Sequence, residues 1–236
     1  LIENKIDQVF NNLPEQKFST IFKNLFHLVI TAPARLFYGK TKLGQIIMKL
    51  AQKLKLITLE VTPEEKQSVM PKIPAYKLSN AASKIALLQL EQIDKFNQHR
   101  LEISKYYQEK LSKFGDIKTF QFSDQNFLLR FPVLVENPEK ILKKAKEKNI
   151  FLGDWYNSVI APKDINLAKT GYKIGDLINA ENICSKIINL PTHHSIKKSH
   201  AREIVQLFNS NTHTAKKLEV VLANNQENYE KGLENI

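Results

Sequence analysis

The segment from Ser79 to Phe114 limits the possible folds more than any other part of the chain. Ala82, Ala86, Leu90, Ile93 and Phe96 recur at three- and four-residue spacing, and Ile103, Tyr107, Leu111 and Phe114 continue the stripe with a phase shift. That period predicts one long helix, or two nearly continuous ones, with Ser79 as N-cap and Gly115 as the C′ residue. A helix with an apolar stripe along its whole length needs other elements to cover it. The stripe is read as a packing face and not as a cofactor site.

The covering elements follow in the sequence. Ile117 to Phe122 and Phe127 to Val135 read as strands, and Asn137-Pro138 opens a basic helix through Lys148. Ile150 to Gly153 reads as a short strand, Ile178 to Lys186 as a helix, Ile187 to Leu190 as a strand, and Ser199 to Phe208 as a closing helix. Paired strands interspersed with helices predict a small α+β domain with its sheet covered on one face. The run "NLPTHH" is then a strand leaving the sheet, stopped by Pro191. His193 and His194 are adjacent, so on extended backbone they point to opposite faces and cannot chelate one ion together. His200 and His213 lack the spacing of a zinc helix motif, and no metal site is expected.

The part before Ser79 has a different texture. Phe18, Ile21, Phe22, Leu25, Phe26 and Val29 mark a helix that Pro33 is expected to break. A second helix, Leu43 to Leu56, places Ile46, Ile47, Leu50 and Leu54 on one face. The connector "TPEEKQSVMPKIPAYK" carries Pro63, Pro71 and Pro74, which predict extended backbone. Segments 1–62, 63–78, 79–210 and 211–236 are the expected divisions, the last a tail or the start of a further segment. The chain begins at Leu1 without a signal-peptide pattern, and the expectation is a piece of a longer polypeptide.

Charge is concentrated in one place. From Lys17 to Lys55 there are eight Lys or Arg and no Asp or Glu, against a net charge of +11 for the whole chain. Aromatic and aliphatic side chains beside only positive charge (Phe18, Phe22, Phe26, Leu36 and Phe37 among them) suit a helix pair lying on an anionic membrane. The competing expectation is that these residues pack on the protein's own body, because most amphipathic helices face a core. No stretch is long and apolar enough for a membrane span.

Motif chemistry is sparse. The single cysteine, Cys184, lies between Ile183 and Ile187 and reads as an inert thiol; one cysteine also rules out an intrachain disulfide and fits a reducing compartment. No glycine-rich phosphate loop and no Ser-His-Asp or Cys-His spacing is present. Basic clusters such as "ILKKAKEKN" lack interleaved aromatics and read as solvated helix faces, so no nucleic-acid partner is expected. No catalytic residue is assigned in this chain.

The order of segments nevertheless resembles a known family. "KLSNAASKIALLQLEQIDKFNQHRLEISKYYQEKL" is similar to the signature helix of the DegT-type, pyridoxal-phosphate-dependent sugar aminotransferases, with Ser79, Ala86, Gln89, Leu90, Asn97, Arg100, Tyr106 and Tyr107 in matching places. "NAENICSKIINLPTHH" resembles a second family motif through Ala180, Glu181, Leu190, Pro191 and His193. The resemblance covers roughly Met70 to Phe208. It implies an α/β fold of the fold-type-I aminotransferase superfamily, of which this chain is mainly the α+β C-terminal small domain with a long linking helix and an N-terminal helical insertion.

The resemblance also implies function. Such an enzyme uses pyridoxal 5′-phosphate to pass an amino group, from glutamate, to a keto sugar that is nucleotide-linked, in amino-sugar or cell-surface polysaccharide synthesis. It implies a cytoplasmic homodimer, peripheral on the inner membrane surface if segment 17–55 docks there. The Schiff-base lysine belongs to a large domain that this chain is expected to lack, so the fragment alone is expected to be inactive. Where the family has an Asn and an Arg before the signature helix, the aligned residues are Ala75 and Lys77. Lys77, Tyr76 and Asn80 are the implied cofactor-phosphate contacts. Trp155 and Tyr156, in "GDWYNSVIAP", stand where family members line the sugar site, and an aromatic with a phenol suits a sugar. Alternatives are an inactive relative serving as a membrane-surface or partner-docking module, and a pyridoxal-phosphate-dependent sugar dehydratase.

Overall fold

The structure, a computed structural model, describes residues 2–37, 43–57, 61–70 and 75–209, apart from the side chains of Ile2, Glu3, Arg35 and Leu36. Pro71, Pro74 and the tail from 211 lie outside the described residues. By contact the chain divides into two units, 1–93 with 160–176, and 94–159 with 177–236. This division cuts the expected segment 79–210 at Ile93.

The second unit holds the core. Helix α6 (Ile93–Leu111) leads into a three-stranded antiparallel sheet of order β1 (Ile117–Thr119), β2 (Arg130–Val135), β3 (Ile187–Pro191). Helix α7 (Pro138–Glu147) follows β2, α8 (Ile178–Lys186) precedes β3, and α9 spans 198–209. Strand β2 alternates cleanly: Phe131, Val133 and Val135 are buried, while Arg130, Pro132 and Leu134 on the other face are only half-buried. Phe131 and Val133 pack with Ile103, Tyr107 and Leu111 of α6, Ile141 of α7, Ile188 and Leu190 of β3, and Ile204 and Phe208 of α9.

Polar groups tie this core together. Tyr107 is fully buried, and its hydroxyl donates to the Pro191 carbonyl at 3.1 Å, joining the signature helix to the end of β3. Burial, with Tyr106 beside it, pushes the Tyr107 phenol well above its ordinary range, so it stays a donor. Thr192, also fully buried, turns its hydroxyl to the carbonyls of Leu128 (2.7 Å) and Leu129 (2.9 Å). In the N-x-x-R part of the signature, Arg100 donates to the Asn97 side-chain oxygen at 2.7 Å, a link across one helical turn.

Helix α8 needs no loop to reach its strand, because its C-cap, Ile187, is already extended and is the first residue of β3. The two histidines sit in a turn after β3, not on extended backbone. His194 stacks on Phe96 at 4.9 Å, and His193 Nδ1 lies 2.7 Å from the Ser195 hydroxyl. Their rings meet edge-on at 6.5 Å, and the strand-face argument for them does not apply.

The first unit contains α1 (Ile2–Asn12), α2 (Phe18–Leu36), α3 (Leu43–Lys53), α4 (Pro63–Lys66) and α5 (Asn80–Leu90). Segment 160–176 joins it through the Asn166 amide to the Lys66 carbonyl (2.8 Å), the Ser68 hydroxyl to the Asn166 carbonyl (2.9 Å) and the Lys66–Asp164 ion pair (2.6 Å). The Lys66 ammonium holds the Asp164 carboxyl below its ordinary range.

Several expectations are corrected. Pro33 does not break its helix: α2 runs on to Leu36. Pro33 and Val29 are both exposed, so water can reach the Val29 carbonyl whose amide partner the proline lacks. Pro63 does not extend the chain but opens α4, where Thr62 and Glu65 form a reciprocal capping box and a first-turn proline costs no hydrogen bond. Ser79 caps α5 as expected, through the Ala82 amide. The long helix is two, separated by a turn at Glu91-Gln92.

Gly115 is not a left-handed C′ residue; the end of α6 closes with the Phe114 amide on the Leu111 carbonyl at 3.0 Å, which needs no positive φ. Strands β1 and β2 are shorter than expected: residues 120–122 and 127–129 lie outside the sheet, on either side of a Ser123–Asn126 turn fastened by the Asn126 side chain. The strand at Ile150 to Gly153 reduces to a single bridge from Gly153 to Asn189. Finally, the stripe on α5 is not a buried face among the described residues: Leu90 is 61% exposed, and Ile85 and Leu87 are exposed with it.

Candidate functional site

In the first unit, Lys77 lies in extended backbone just ahead of α5, and its amide donates to the Pro14 carbonyl at 3.0 Å. Its ammonium is half-buried, 3.3 Å from a Glu15 carboxylate oxygen and 5.6 Å from the centre of the Phe10 ring. Tyr76 is half-buried and Asn80 is exposed in the first turn of α5. A phosphate dianion needs several converging donors with uncompensated charge. Here the lysine charge is already met by a carboxylate, and Ser79 occupies the Ala82 amide. Lys77, Tyr76 and Asn80 therefore do not form a phosphate cradle by themselves.

Trp155 and Tyr156 belong to the second unit, in the loop between α7 and α8. Gly153 pairs with Asn189 of β3 through two backbone hydrogen bonds of 2.8 Å each. A Cβ on Gly153 would lie 3.2 Å from both the Asn189 Cβ and its carbonyl oxygen, so this close approach depends on glycine. Asn189 is 3% exposed and donates its amide to the Trp155 carbonyl at 2.7 Å. Together the two anchors fix the loop onto the edge of β3. The loop then turns sharply at Tyr156, whose φ is +66°, a left-handed conformation uncommon for an aromatic residue.

These anchors present the Trp155 ring to solvent, 57% exposed, with the Arg130 guanidinium over it at 5.3 Å. Trp155 thus does not simply pack over the sheet. Arg130 is the first residue of β2, on the face opposite Phe131, and makes no ion pair among those found for the described residues. A planar guanidinium stacked on an indole keeps its edge N–H groups free to fork onto an anion. Tyr156, next in the chain, is 63% exposed. The arrangement can stack a ring and bind a phosphate or carboxylate.

Arg130 was missed by sequence reasoning. The available signal was its position: strand alternation puts it opposite the buried Phe131, Val133 and Val135, where a lone arginine has no packing role.

Other polar clusters are less developed. A cavity of about 330 Å³ beside the exit of β3 is lined by Lys148, Phe151, Pro191, His193, His200 and Glu203 among others. No group of three metal-ligating side chains occurs among the described residues. Burial raises the Cys184 thiol, as expected for an inert cysteine.

The profile of the DegT/DnrJ/EryC1/StrS aminotransferase family matches residues 47–209. A dTDP-4-amino-4,6-dideoxy-D-glucose transaminase of Shigella dysenteriae is 30% identical over 137 residues, covering 55% of this chain and 36% of the relative. The chain thus spans about a third of that relative's length. Among solved structures, DesV of S. venezuelae, in complex with a ketimine intermediate, aligns with a TM-score of 0.51 at 16% identity, covering 67% of this chain and 43% of DesV. The apo-form of Spr1654 from Streptococcus pneumoniae also gives 0.51, at 16% identity, covering 63% of this chain and 39% of that one. The fold is that of the fold-type-I aminotransferases, in part.

Proposed function

The chain belongs to the DegT/DnrJ/EryC1/StrS aminotransferase family, and on that premise we propose that it is the C-terminal portion of an enzyme that moves an amino group from glutamate to a nucleotide-linked keto sugar. Members of this family are pyridoxal-phosphate-dependent. The observation that carries the sugar-nucleotide reading is the exposed Trp155 ring with the Arg130 guanidinium stacked on it, fastened to β3 by Gly153 and Asn189. The indole face and the Tyr156 hydroxyl suit a sugar or base, and the guanidinium edge suits a diphosphate. The Shigella relative, a dTDP-sugar transaminase, supports the same substrate class.

Within this reading Lys77 acts as a structural tie at the start of α5, through Glu15 and the Pro14 carbonyl. The full-length protein is a cytoplasmic homodimer. The apolar side chains that α5 leaves exposed support a contact with protein surface outside the described residues.

The test is a coupled assay of 2-oxoglutarate release from glutamate by the full-length protein, using dTDP- and UDP-linked 4-keto sugars. Arg130→Met should raise KM for the sugar nucleotide about tenfold or more, the loss of a charge-assisted hydrogen bond, with kcat little changed. Absence of glutamate-dependent turnover on every such sugar would overturn the function. Unchanged KM in Arg130→Met would overturn the assignment of that residue.

A further inference from the structure

The helix pair α2–α3 is built the reverse way round from a pair that folds to bury its own apolar side chains. The two helices pack on each other, yet the residues they bury are small: Ala34 of α2, and Gly44 and Ala51 of α3. Ile21, Leu25, Phe26, Ile30 and Ile47 are half-buried, and other bulky apolar side chains described on the pair lie outside. Phe18, Phe22 and Val29 fall at i, i+4 and i+11, one face of α2, and all three are exposed, Phe18 by 81%. Ile46, Leu50 and Leu54 repeat every four residues along α3 and its C-terminal turn, and are likewise more than half exposed. Small residues between helices with large ones outward is the arrangement used where the surroundings are themselves apolar.

The polar residues narrow the choice of surroundings. Lys17, Lys23, Lys49 and Lys53 are all exposed, and Lys49 and Lys53 lie one turn from Ile46 and Leu50. No acidic residue occurs from 17 to 55. No helix of the described residues is long and apolar enough to cross a membrane. Apolar outer faces beside exclusively positive charge, on helices too short to span, match the chemistry of an anionic bilayer surface.

We propose that α2 and α3 form a docking surface for an anionic lipid membrane, with the outer apolar faces seated at the headgroup–acyl boundary and the lysines among the headgroups. Most of this surface, all of α2 and the first turn of α3, lies outside the matched family region, which begins at residue 47. The docking is independent of catalysis, so its test needs no turnover.

The test is co-sedimentation of the full-length protein with phosphatidylcholine vesicles and with vesicles containing a third phosphatidylglycerol. Binding should require the anionic lipid and weaken as salt shortens the screening length. Lys17→Gln, Lys49→Gln and Lys53→Gln together should lower the partition coefficient about a hundredfold, roughly fivefold for each charge. Ile46→Ser with Leu50→Ser should abolish binding while leaving the melting temperature and oligomeric state unchanged.

Four results would overturn the proposal. They are no pelleting with either vesicle, equal pelleting with both, a melting temperature several degrees lower in the serine variant, and a change of oligomeric state in it. The third would mean that another part of the same protein covers the face, and the fourth that a second copy does.

Discussion

Replacing Asn189 by aspartate should make the stability of the fold depend on pH in a defined direction. Asn189 is 3% exposed and donates to the Trp155 carbonyl at 2.7 Å. An aspartate of the same shape can donate there only when protonated. Ionised, it would place a charge in a buried site facing a carbonyl oxygen, so its folded pKa must rise above the unfolded value of about 3.9. At and below about pH 4 both states carry the proton and the penalty is small. Above it, the unfolded chain releases its proton while the folded one holds it, and stability falls by about 1.4 kcal/mol per pH unit until the raised folded pKa is passed. A rise of two units thus removes about 2.7 kcal/mol by neutral pH.

Asn189→Ala supplies the control: its loss, about 1–3 kcal/mol for the stranded carbonyl, should not vary with pH. Urea unfolding followed by far-UV circular dichroism, from pH 4.5 to 8 against wild type, measures both. Trp155 is the single tryptophan, so its fluorescence reports the loop separately. A penalty for Asn189→Asp that stays flat across this range would refute the buried-donor reasoning.

Tyr107→Phe deletes the hydroxyl that reaches Pro191 without changing the packed ring, and should cost about 1–2 kcal/mol in urea denaturation. Gly153→Ala puts a methyl 3.2 Å from Asn189 backbone and side chain, and should lower the melting temperature and loosen the Trp155 loop, seen as increased quenching by iodide. Cys184, with its thiol raised by burial, should be alkylated by iodoacetamide more slowly than free glutathione at pH 7.5 in the folded protein and at a comparable rate in urea.

The second unit was largely legible because its signals are local and periodic. Helix α8 and the strand after it follow from β-branched residues ended by a proline, and the α6 stripe names the buried Ile103, Tyr107 and Leu111. What failed there depended on hydrogen bonds the sequence does not display, such as those the Thr192 hydroxyl makes to the Leu128 and Leu129 carbonyls, residues expected in a strand that begins only at Arg130. For the candidate site, resemblance pointed to Trp155 and Tyr156, but the arginine over the indole comes from a strand more than twenty residues earlier and is brought there only by the sheet. Periodicity marks which residues share a helix face and not what covers it, and on α5 no described residue of the stripe is buried.

The interleaving of the two units sets an order of events during synthesis. Lys66 and Ser68 find their partners, Asp164 and Asn166, 98 residues later in the chain. At about 5–20 residues per second, a ribosome takes roughly 5–20 s to deliver them. Throughout that interval α4 is without the strap that holds it, while most of the second unit has still to acquire β3. Until residue 176 has emerged from the ribosome, helices α1–α5 cannot complete the unit they belong to.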